Sequence, residues 1–123
     1  RVGNMKRIRL KRHATEDCHA TESPVLDAWV ADSYLTRLRG LLGKKRLDDS
    51  DGLLLKRCAS VHTFWMHYPL DLVFMDKKGK VVKCQEGVKP FRTASARGAY
   101  YTLELNQGVI SKQGISESDH FYW

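Results

Sequence analysis

Cys58 and His62 are the residues of this 123-residue chain that could form a nucleophile and its base. A cysteine becomes a covalent catalyst when a nearby histidine activates its thiolate and a third polar group orients the histidine. Asp71, which lies within an apolar stretch, is the candidate for that third group. On a straight strand Cys58 and His62 would lie about 13 Å apart. The enzyme hypothesis therefore requires a turn at residues 59–60.

A metal site is a second hypothesis for the same part of the chain. Cys58 and His62 would need two more ligands to complete a zinc site. The candidates for those ligands are Cys84, His67 and Asp71. Closely spaced ligand pairs such as C-x-x-C are the usual sequence signature of such a site, and the chain has none. We therefore predict no metal and no other cofactor.

A binding site is the hypothesis that we prefer over both. Small β domains hold ligands at a mouth lined by aromatic side chains and a few polar groups. The candidate ligand-binding residues are Cys58, His62, Thr63, Trp65, Met66, His67 and Asp71. We expect a noncatalytic module that binds a small ligand or a protein beside the corner between His62 and Asp71. The identity of the ligand is left open.

Two predicted strands position these residues. Residues 61–67 are rich in β-branched and aromatic side chains, which favour a strand, and Pro69 interrupts it. Residues 70–75 predict the next strand, in which alternation places Asp71 on the face of Val73 and Met75. A buried carboxylate is costly unless it is paired. We therefore expect Asp71 to accept hydrogen bonds from backbone N–H groups near Pro69, or to pair with Thr63, His62 or an arginine.

The remaining pattern predicts further short strands and one helix. Apolar residues at helical spacing over residues 34–42, followed by Gly43, predict a short N-terminal α-helix. Residues 76–79 predict a tight turn into a return strand at 81–84. Other strands are predicted at 25–31, 52–55, 100–105 and 119–123, with Phe91 filling one end of the fold. The fold class is therefore mainly β, as a compact jelly-roll-like sandwich or a partly open barrel.

The charges divide the chain into two parts. The formal net charge is +7, and residues 1–12 contain six basic residues and no acidic one. Because blocks of like charge are usually solvated and disordered, we predict a basic, flexible arm over residues 1–23. A single β domain is predicted over residues 24–123. No nucleic-acid contact is expected except through the basic arm of residues 1–12, because the other residues carry 15 basic against 14 acidic groups.

Cysteine usage and hydropathy indicate the compartment. The three cysteines form no C-x-x-C pair, which fits a reducing environment better than a disulfide framework. The sequence has no run of 18 apolar residues, so no membrane span is expected. No export signal is visible in a chain that begins at Arg1 rather than at Met. The compartment expected is the cytoplasm.

An ordered series of short motifs resembles a known family. The motifs are Gly40-Leu41-Leu42-Gly43, Leu47, Gly52-Leu53-Leu54, His62-Thr63-Phe64-Trp65-Met66, Pro69-Leu70-Asp71-Leu72-Val73-Phe74, Gly79-Lys80-Val81-Val82, Pro90, Leu103-Glu104-Leu105 and Gly108. In this order they resemble the domain-of-unknown-function 192 family over about residues 27–119. The resemblance implies one compact β domain with a helix near the N-terminus, and it implies no catalytic residue.

The resemblance also marks individual positions. Met66, Asp71 and Phe74 stand at hallmark positions of that family. The chain departs from the family at Ser118-Asp119, where members commonly have Gly-Asp. This difference bears on the last turn of the chain.

Overall fold

Strands dominate the computed structural model, which describes residues 6–13, 26–31, 48–63 and 68–123. The elements are β1 (Lys6–His13), β2 (Leu26–Ala31), β3 (Asp51–Lys56), β4 (Ser60–His62), β5 (Leu70–Met75), β6 (Val81–Val88), β7 (Thr93–Ser95), β8 (Tyr101–Asn106), α1 (Val109–Gln113) and β9 (His120–Tyr122). The mainly β fold class is confirmed. The predicted helix over residues 34–42 lies outside the described residues. Within the described ranges, no helix has the length and hydrophobicity needed to cross a membrane.

Seven of the strands form one curled sheet. Its order is β6-β5-β8-β3-β2-β1-β9, and β2 with β3 is its parallel pair. The two edges of the sheet approach each other, because Lys80 forms an isolated bridge with His120 and the Phe121 N–H donates to the Gly79 carbonyl at 2.9 Å. Among the described residues, no continuous ladder joins the edge strands β6 and β9. The partly open barrel, one of the two predicted architectures, is therefore the one observed. The jelly-roll alternative is not confirmed.

The two faces of the sheet carry separate cores. All seven strands and α1 contribute to the inner core, which consists of Leu10, Leu26, Ala28, Val30, Leu54, Val73, Met75, Val81, Leu103, Leu105, Val109, Ile110, Ile115 and Phe121. The outer core lies under the small sheet of β4 and β7 and consists of Leu53, Leu55, Val61, Leu70, Leu72, Phe74, Val88, Ala94 and Ala96. The predicted alternation along β5 is confirmed, because its odd and even positions belong to different cores.

The flexible basic arm predicted for residues 1–23 is wrong for residues 6–13, which form β1. This strand pairs antiparallel with β2 and with β9, and Leu10 is buried in the inner core. Three of its basic residues have carboxylate partners: Arg7 pairs with Asp27 and Asp51, Arg9 with Asp27, and Arg12 with Asp119. The excess of positive charge led to the prediction of an arm, although alternate side chains of this segment face the inner core.

The hairpin between β5 and β6 has the predicted tight turn. The Gly79 N–H donates to the Asp76 carbonyl at 3.0 Å, and the Asp76 N–H donates to the Lys80 carbonyl at 2.9 Å. Gly79 has a φ of 86°, and a Cβ on it would lie 2.1 Å from the carbonyl oxygen of Phe121. Glycine is therefore required here both by the turn and by the close approach of β9.

Candidate functional site

Asp71 is a buried acid whose carboxylate is held by three backbone N–H groups. Gly87 donates to Oδ1 at 2.9 Å, and Gly108 and Ile110 each donate to Oδ2 at 3.0 Å. The side chain is inaccessible to solvent. Backbone N–H partners were one of the expected solutions. They come from β6 and from the start of α1, which follow Asp71 by 16 to 39 residues.

Arg12 contacts the other end of α1. Its guanidinium donates to the carbonyls of Gln113 at 2.5 Å and Gly114 at 3.2 Å, and to the Asp119 carboxylate at 2.6 Å. The Arg12 and Asp119 side chains are only 5% and 3% exposed. A helix of five residues is too short to be stable alone. The acid lies at the positive, N-terminal end of the helix dipole and the guanidinium at the negative, C-terminal end, so both charges interact favourably with the dipole. Each also forms hydrogen bonds with backbone groups that have no partner within the helix.

Asp71 and Cys58 lie on opposite faces of the large sheet. Asp71 shares the face of Val73 and Met75, which belong to the inner core. Cys58 packs against the outer core together with Val61 of β4. β5 therefore lies between the carboxylate and the thiol. The nucleophile, base and orienting acid of the enzyme hypothesis are not gathered on one surface.

The backbone of Cys58 is fixed by β8 and its neighbours. Its N–H donates to the Tyr100 carbonyl at 2.9 Å, and its carbonyl accepts from the Thr102 hydroxyl at 2.7 Å. The half-buried thiol lies 3.1 Å from the carbonyl of Ser60, to which it donates. His62 is exposed on β4, opposite Thr93 of β7. His62 is thus available to solvent beside the loop that precedes β7.

Cys84 carries the second described thiol. Partial burial, followed by the negative charges of Glu117 and Asp119, raises the pKa of the Cys84 thiol to about 11. A raised pKa leaves less thiolate at neutral pH, and the thiolate is the reactive form. This environment favours a structural thiol over a nucleophile. No group of three or more His, Cys, Asp or Glu side chains within the described ranges is arranged to hold a metal ion.

Thr63 holds the loop of residues 89–92. Its buried hydroxyl donates to the Lys89 carbonyl at 2.7 Å and accepts from the Arg92 N–H at 2.8 Å. The Thr63 N–H donates to the Arg92 carbonyl at 2.8 Å, and the Thr63 carbonyl accepts from the Phe91 N–H at 3.2 Å. The hydrogen bonds of this one residue therefore set the backbone of the loop.

Phe91 is presented to solvent by that loop. Its φ is 62°, a left-handed conformation that is unfavourable for a bulky side chain. The side chain is 69% exposed, so the prediction that Phe91 fills one end of the fold is wrong. Lys89 and Arg92 on either side are also exposed. The remaining predicted ligand-binding residues, Trp65, Met66 and His67, lie outside the described residues.

A family model described as "Uncharacterized ACR" matches residues 16–123. The chain belongs to the DUF192 family. The resemblance seen in the short motifs is thereby confirmed, and it extends beyond the span that those motifs covered.

Curated relatives of this DUF192 chain come from archaea. A UPF0127 protein of Thermococcus kodakarensis is 28% identical over 98 residues, which cover 76% of this chain and 62% of the relative. A UPF0127 protein of Thermococcus sibiricus is 28% identical over 99 residues, covering 76% of this chain and 64% of the relative. The match therefore spans less than two thirds of the length of either relative.

Two crystal structures share the fold of this DUF192 chain. One is a protein from Sinorhizobium meliloti described as a proposed transcription regulator, with a TM-score of 0.81, 21% identity, and coverage of 96% of this chain and 94% of that one. The other is a protein of unknown function from Novosphingobium aromaticivorans, with a TM-score of 0.81, 21% identity, and coverage of 99% and 89%. At this identity the likeness establishes the fold alone.

The structure gives physical roles to two of the positions that the resemblance marked. Asp71 connects β5 to the start of α1, and Phe74 is fully buried in the outer core. Met66 lies outside the described residues. Ser118, where the resemblance led us to expect glycine, has a φ of 72°. The turn is therefore kept in its left-handed form although a serine occupies it.

Proposed function

We propose that this DUF192 domain is a noncatalytic binding module that contacts a protein partner through the surface around Phe91. This surface, called the Phe91 surface below, consists of His62 and the loop of residues 89–92. The observation that carries the proposal is the combination, at Phe91, of 69% exposure with a left-handed backbone. The proposal keeps the binding site that was predicted beside the corner between His62 and Asp71, with His62 as the predicted residue that belongs to this surface.

Phe91 costs stability in two ways. A non-glycine residue in the left-handed region is unfavourable by about 1–3 kcal/mol when the surroundings impose it. A large apolar side chain that is mostly exposed also forgoes part of the stabilisation that full burial would give. Strain of this kind is concentrated at ligand-binding sites, and aromatic side chains commonly carry most of the energy of a protein interface. A role in binding explains why one residue combines a strained backbone with an exposed aromatic ring, although both lower the stability of the domain.

Thr63 supports the proposal by fixing the loop before any partner arrives. Its hydroxyl and backbone make hydrogen bonds to Lys89, Phe91 and Arg92. A surface that is already ordered loses less conformational entropy on binding. Thr63 is thus a supporting residue rather than a contact, because it is only 2% exposed.

The charges beside Phe91 indicate the chemistry of the partner. Lys89 and Arg92 are exposed in the same loop as Phe91. Complementary charges favour encounter and orient a partner. The partner that fits is a peptide or protein surface with an apolar pocket or side chain flanked by carboxylates. Trp65, Met66 and His67 stay in the proposal as predicted contributors from the segment that follows Thr63.

The enzyme and metal alternatives based on Cys58, His62 and Asp71 gain no support from the described geometry. β5 separates Asp71 from Cys58, and Asp71 is inaccessible to solvent. The noncatalytic proposal is favoured because Asp71 already has a structural function that uses both of its oxygens.

A displayed library of random 12-residue peptides tests the proposal directly. Peptides selected on the wild-type domain are synthesised, and their affinities are measured by calorimetry for the wild type and for Phe91→Gly. We expect selected sequences that combine an apolar residue with Asp or Glu, and affinities that fall at least tenfold in Phe91→Gly. The matched control is Tyr122→Ala, which removes an exposed ring elsewhere and should leave the affinity unchanged. Selected peptides that bind Phe91→Gly as tightly as wild type would overturn the proposal.

A further inference from the structure

Six basic residues lie close to one end of the curled sheet. The register places them together, because Lys6 pairs with Val30, Ala31 with Leu55, and Lys56 with Tyr101. Tyr101 is in turn opposite Met75, which precedes the β5–β6 turn. The basic rim is defined as Lys6, Lys56, Arg57, Lys77, Lys78 and Lys80, all of which are exposed. The rim is independent of the Phe91 surface.

Aromatic rings lie beside these cations. Trp123 meets Tyr101 edge to face with 5.2 Å between ring centroids, and Tyr101 meets Tyr100 in the same way at 4.7 Å. The Lys77 ammonium lies 5.6 Å from the centre of the Tyr100 ring. The Trp123 side chain is 47% exposed. A large ring accessible to solvent therefore stands next to the basic rim.

Carboxylates do not neutralise the lysines of this rim in the part of the chain that the structure describes. The ion pairs found there join Arg7, Arg9, Arg12 and Lys112 to aspartates. Asp76, the acid of the β5–β6 turn, accepts hydrogen bonds from the backbone N–H groups of Lys78 and Lys80. Its carboxylate is thus engaged in the turn rather than with a lysine ammonium group.

We infer that the basic rim together with Trp123 binds single-stranded nucleic acid. Phosphates would contact the lysine ammonium groups, and an unpaired base would stack on the exposed indole. Cationic grooves with adjacent aromatic rings are the usual means of binding single strands without sequence preference. A duplex keeps its bases stacked internally and cannot use the ring, so the single strand is the favoured form. The inference assigns the nucleic-acid contact to the rim, which shares only Lys6 with the predicted N-terminal arm.

Fluorescence anisotropy of a labelled 12-nucleotide poly(dT) strand tests the inference. Affinity should fall as salt rises, with a slope of log affinity against log salt of about −0.7 for each phosphate neutralised. The double variant Lys77→Gln/Lys78→Gln should therefore lower the steepness of that slope by about 1.4. The control is Arg9→Gln/Lys112→Gln, which makes the same charge change at two exposed residues outside the rim and should leave the slope unchanged.

The role of the ring is tested separately. Trp123→Ala should weaken binding of the strand by about tenfold at constant salt slope, whereas Trp123→Phe should retain most of the affinity because a ring remains. A duplex of the same length should bind more weakly than the strand. Equal binding of strand and duplex, or full affinity in Trp123→Ala, would overturn the inference. Polyaspartate that binds as tightly as the strand at equal charge concentration would show instead a general surface for acidic proteins and would also overturn the inference.

Discussion

Asp71 and Arg12 hold opposite ends of the same five-residue helix. Asp71 accepts from the N–H groups of Gly108 and Ile110 at the start of α1, and Arg12 donates to the carbonyls of Gln113 and Gly114 at its end. The two residues lie on β5 and β1, which are separated by three strands in the sheet order. The short helix is therefore fixed to the inside of the barrel by residues from distant parts of the chain.

Asp71→Asn tests the structural role of the acid. The amide keeps one acceptor oxygen but directs an NH₂ group at backbone N–H donors, and it loses the charge. We expect the free energy of unfolding to fall by about 3 kcal/mol, because hydrogen bonds to charged buried groups are the strong ones. Urea denaturation followed by circular dichroism measures it.

The control for that variant is Asp49→Asn. The Asp49 carboxylate is 51% exposed where it pairs with Lys112. Loss of an exposed ion pair should change the stability by less than about 1 kcal/mol. If Asp71→Asn is no more destabilising than Asp49→Asn, the buried carboxylate does not anchor α1.

Ser118→Gly should stabilise the domain. Ser118 has a φ of 72°, a conformation that glycine adopts without the steric penalty of a Cβ. The expected gain in the free energy of unfolding is about 0.5–1 kcal/mol, after the greater flexibility of glycine in the unfolded chain is included. Thermal unfolding measures the gain. The control is Ser116→Gly, at a position without a positive φ, which should instead lower the melting temperature. A change of the melting temperature in the same direction in both variants would refute the explanation.

Thr63→Val removes the hydroxyl and keeps the β-branched shape. The Lys89 carbonyl and the Arg92 N–H then lose a buried partner, which should cost about 1–3 kcal/mol. Affinity for peptides selected on the Phe91 surface should also fall, because the loop is no longer fixed. Thr93→Val, an equivalent change at an exposed strand position, provides the comparison in both denaturation and calorimetry. Equal effects at the two positions would count against the proposed role of Thr63.

Cys84 should react slowly with iodoacetamide. Burial raises the pKa of its thiol from 9.0 to about 11, which lowers the thiolate fraction at pH 8 about 100-fold. The stability contribution of the protonated thiol is fully present below pH 9 and is lost as the pH rises through about 11. The measurement uses the variant Cys18→Ser/Cys58→Ser, in folded form and in urea. Similar alkylation rates in the two forms would show that the thiol is not shielded.

Local patterns predicted β2, β3, β5, β8 and β9 to within one residue at each end, but they missed β1 and β7. The strand predicted over residues 61–67 is observed as β4, which ends at His62. Residues 70–75 were expected as a strand and form β5 with the same ends, and the turn before β6 has the predicted glycine conformation. Alternation also assigned Asp71 to the face of Val73 and Met75. These features depend on neighbouring residues, so periodicity and turn chemistry are sufficient to predict them.

Long-range pairing was less predictable. β1 was not predicted because its basic residues resemble a solvated arm. Their carboxylate partners, Asp27, Asp51 and Asp119, come from three separate segments of the chain. The donors to Asp71 come from α1 and β6, so sequence reasoning predicted backbone N–H partners but could not identify them. The exposed position of Phe91 depends on hydrogen bonds to Thr63, 28 residues earlier in the numbering. A signal for Phe91 was present in its surroundings, because Lys89 and Arg92 do not suit a buried plug.

Stability and peptide affinity measured together on Phe91→Gly test the central claim that strain at Phe91 is kept for binding. Glycine relieves the left-handed backbone, so the free energy of unfolding should rise by about 0.5–1 kcal/mol. The affinity for peptides selected on the Phe91 surface should fall at least tenfold in the same protein. A variant that loses stability and keeps the wild-type affinity would contradict the account.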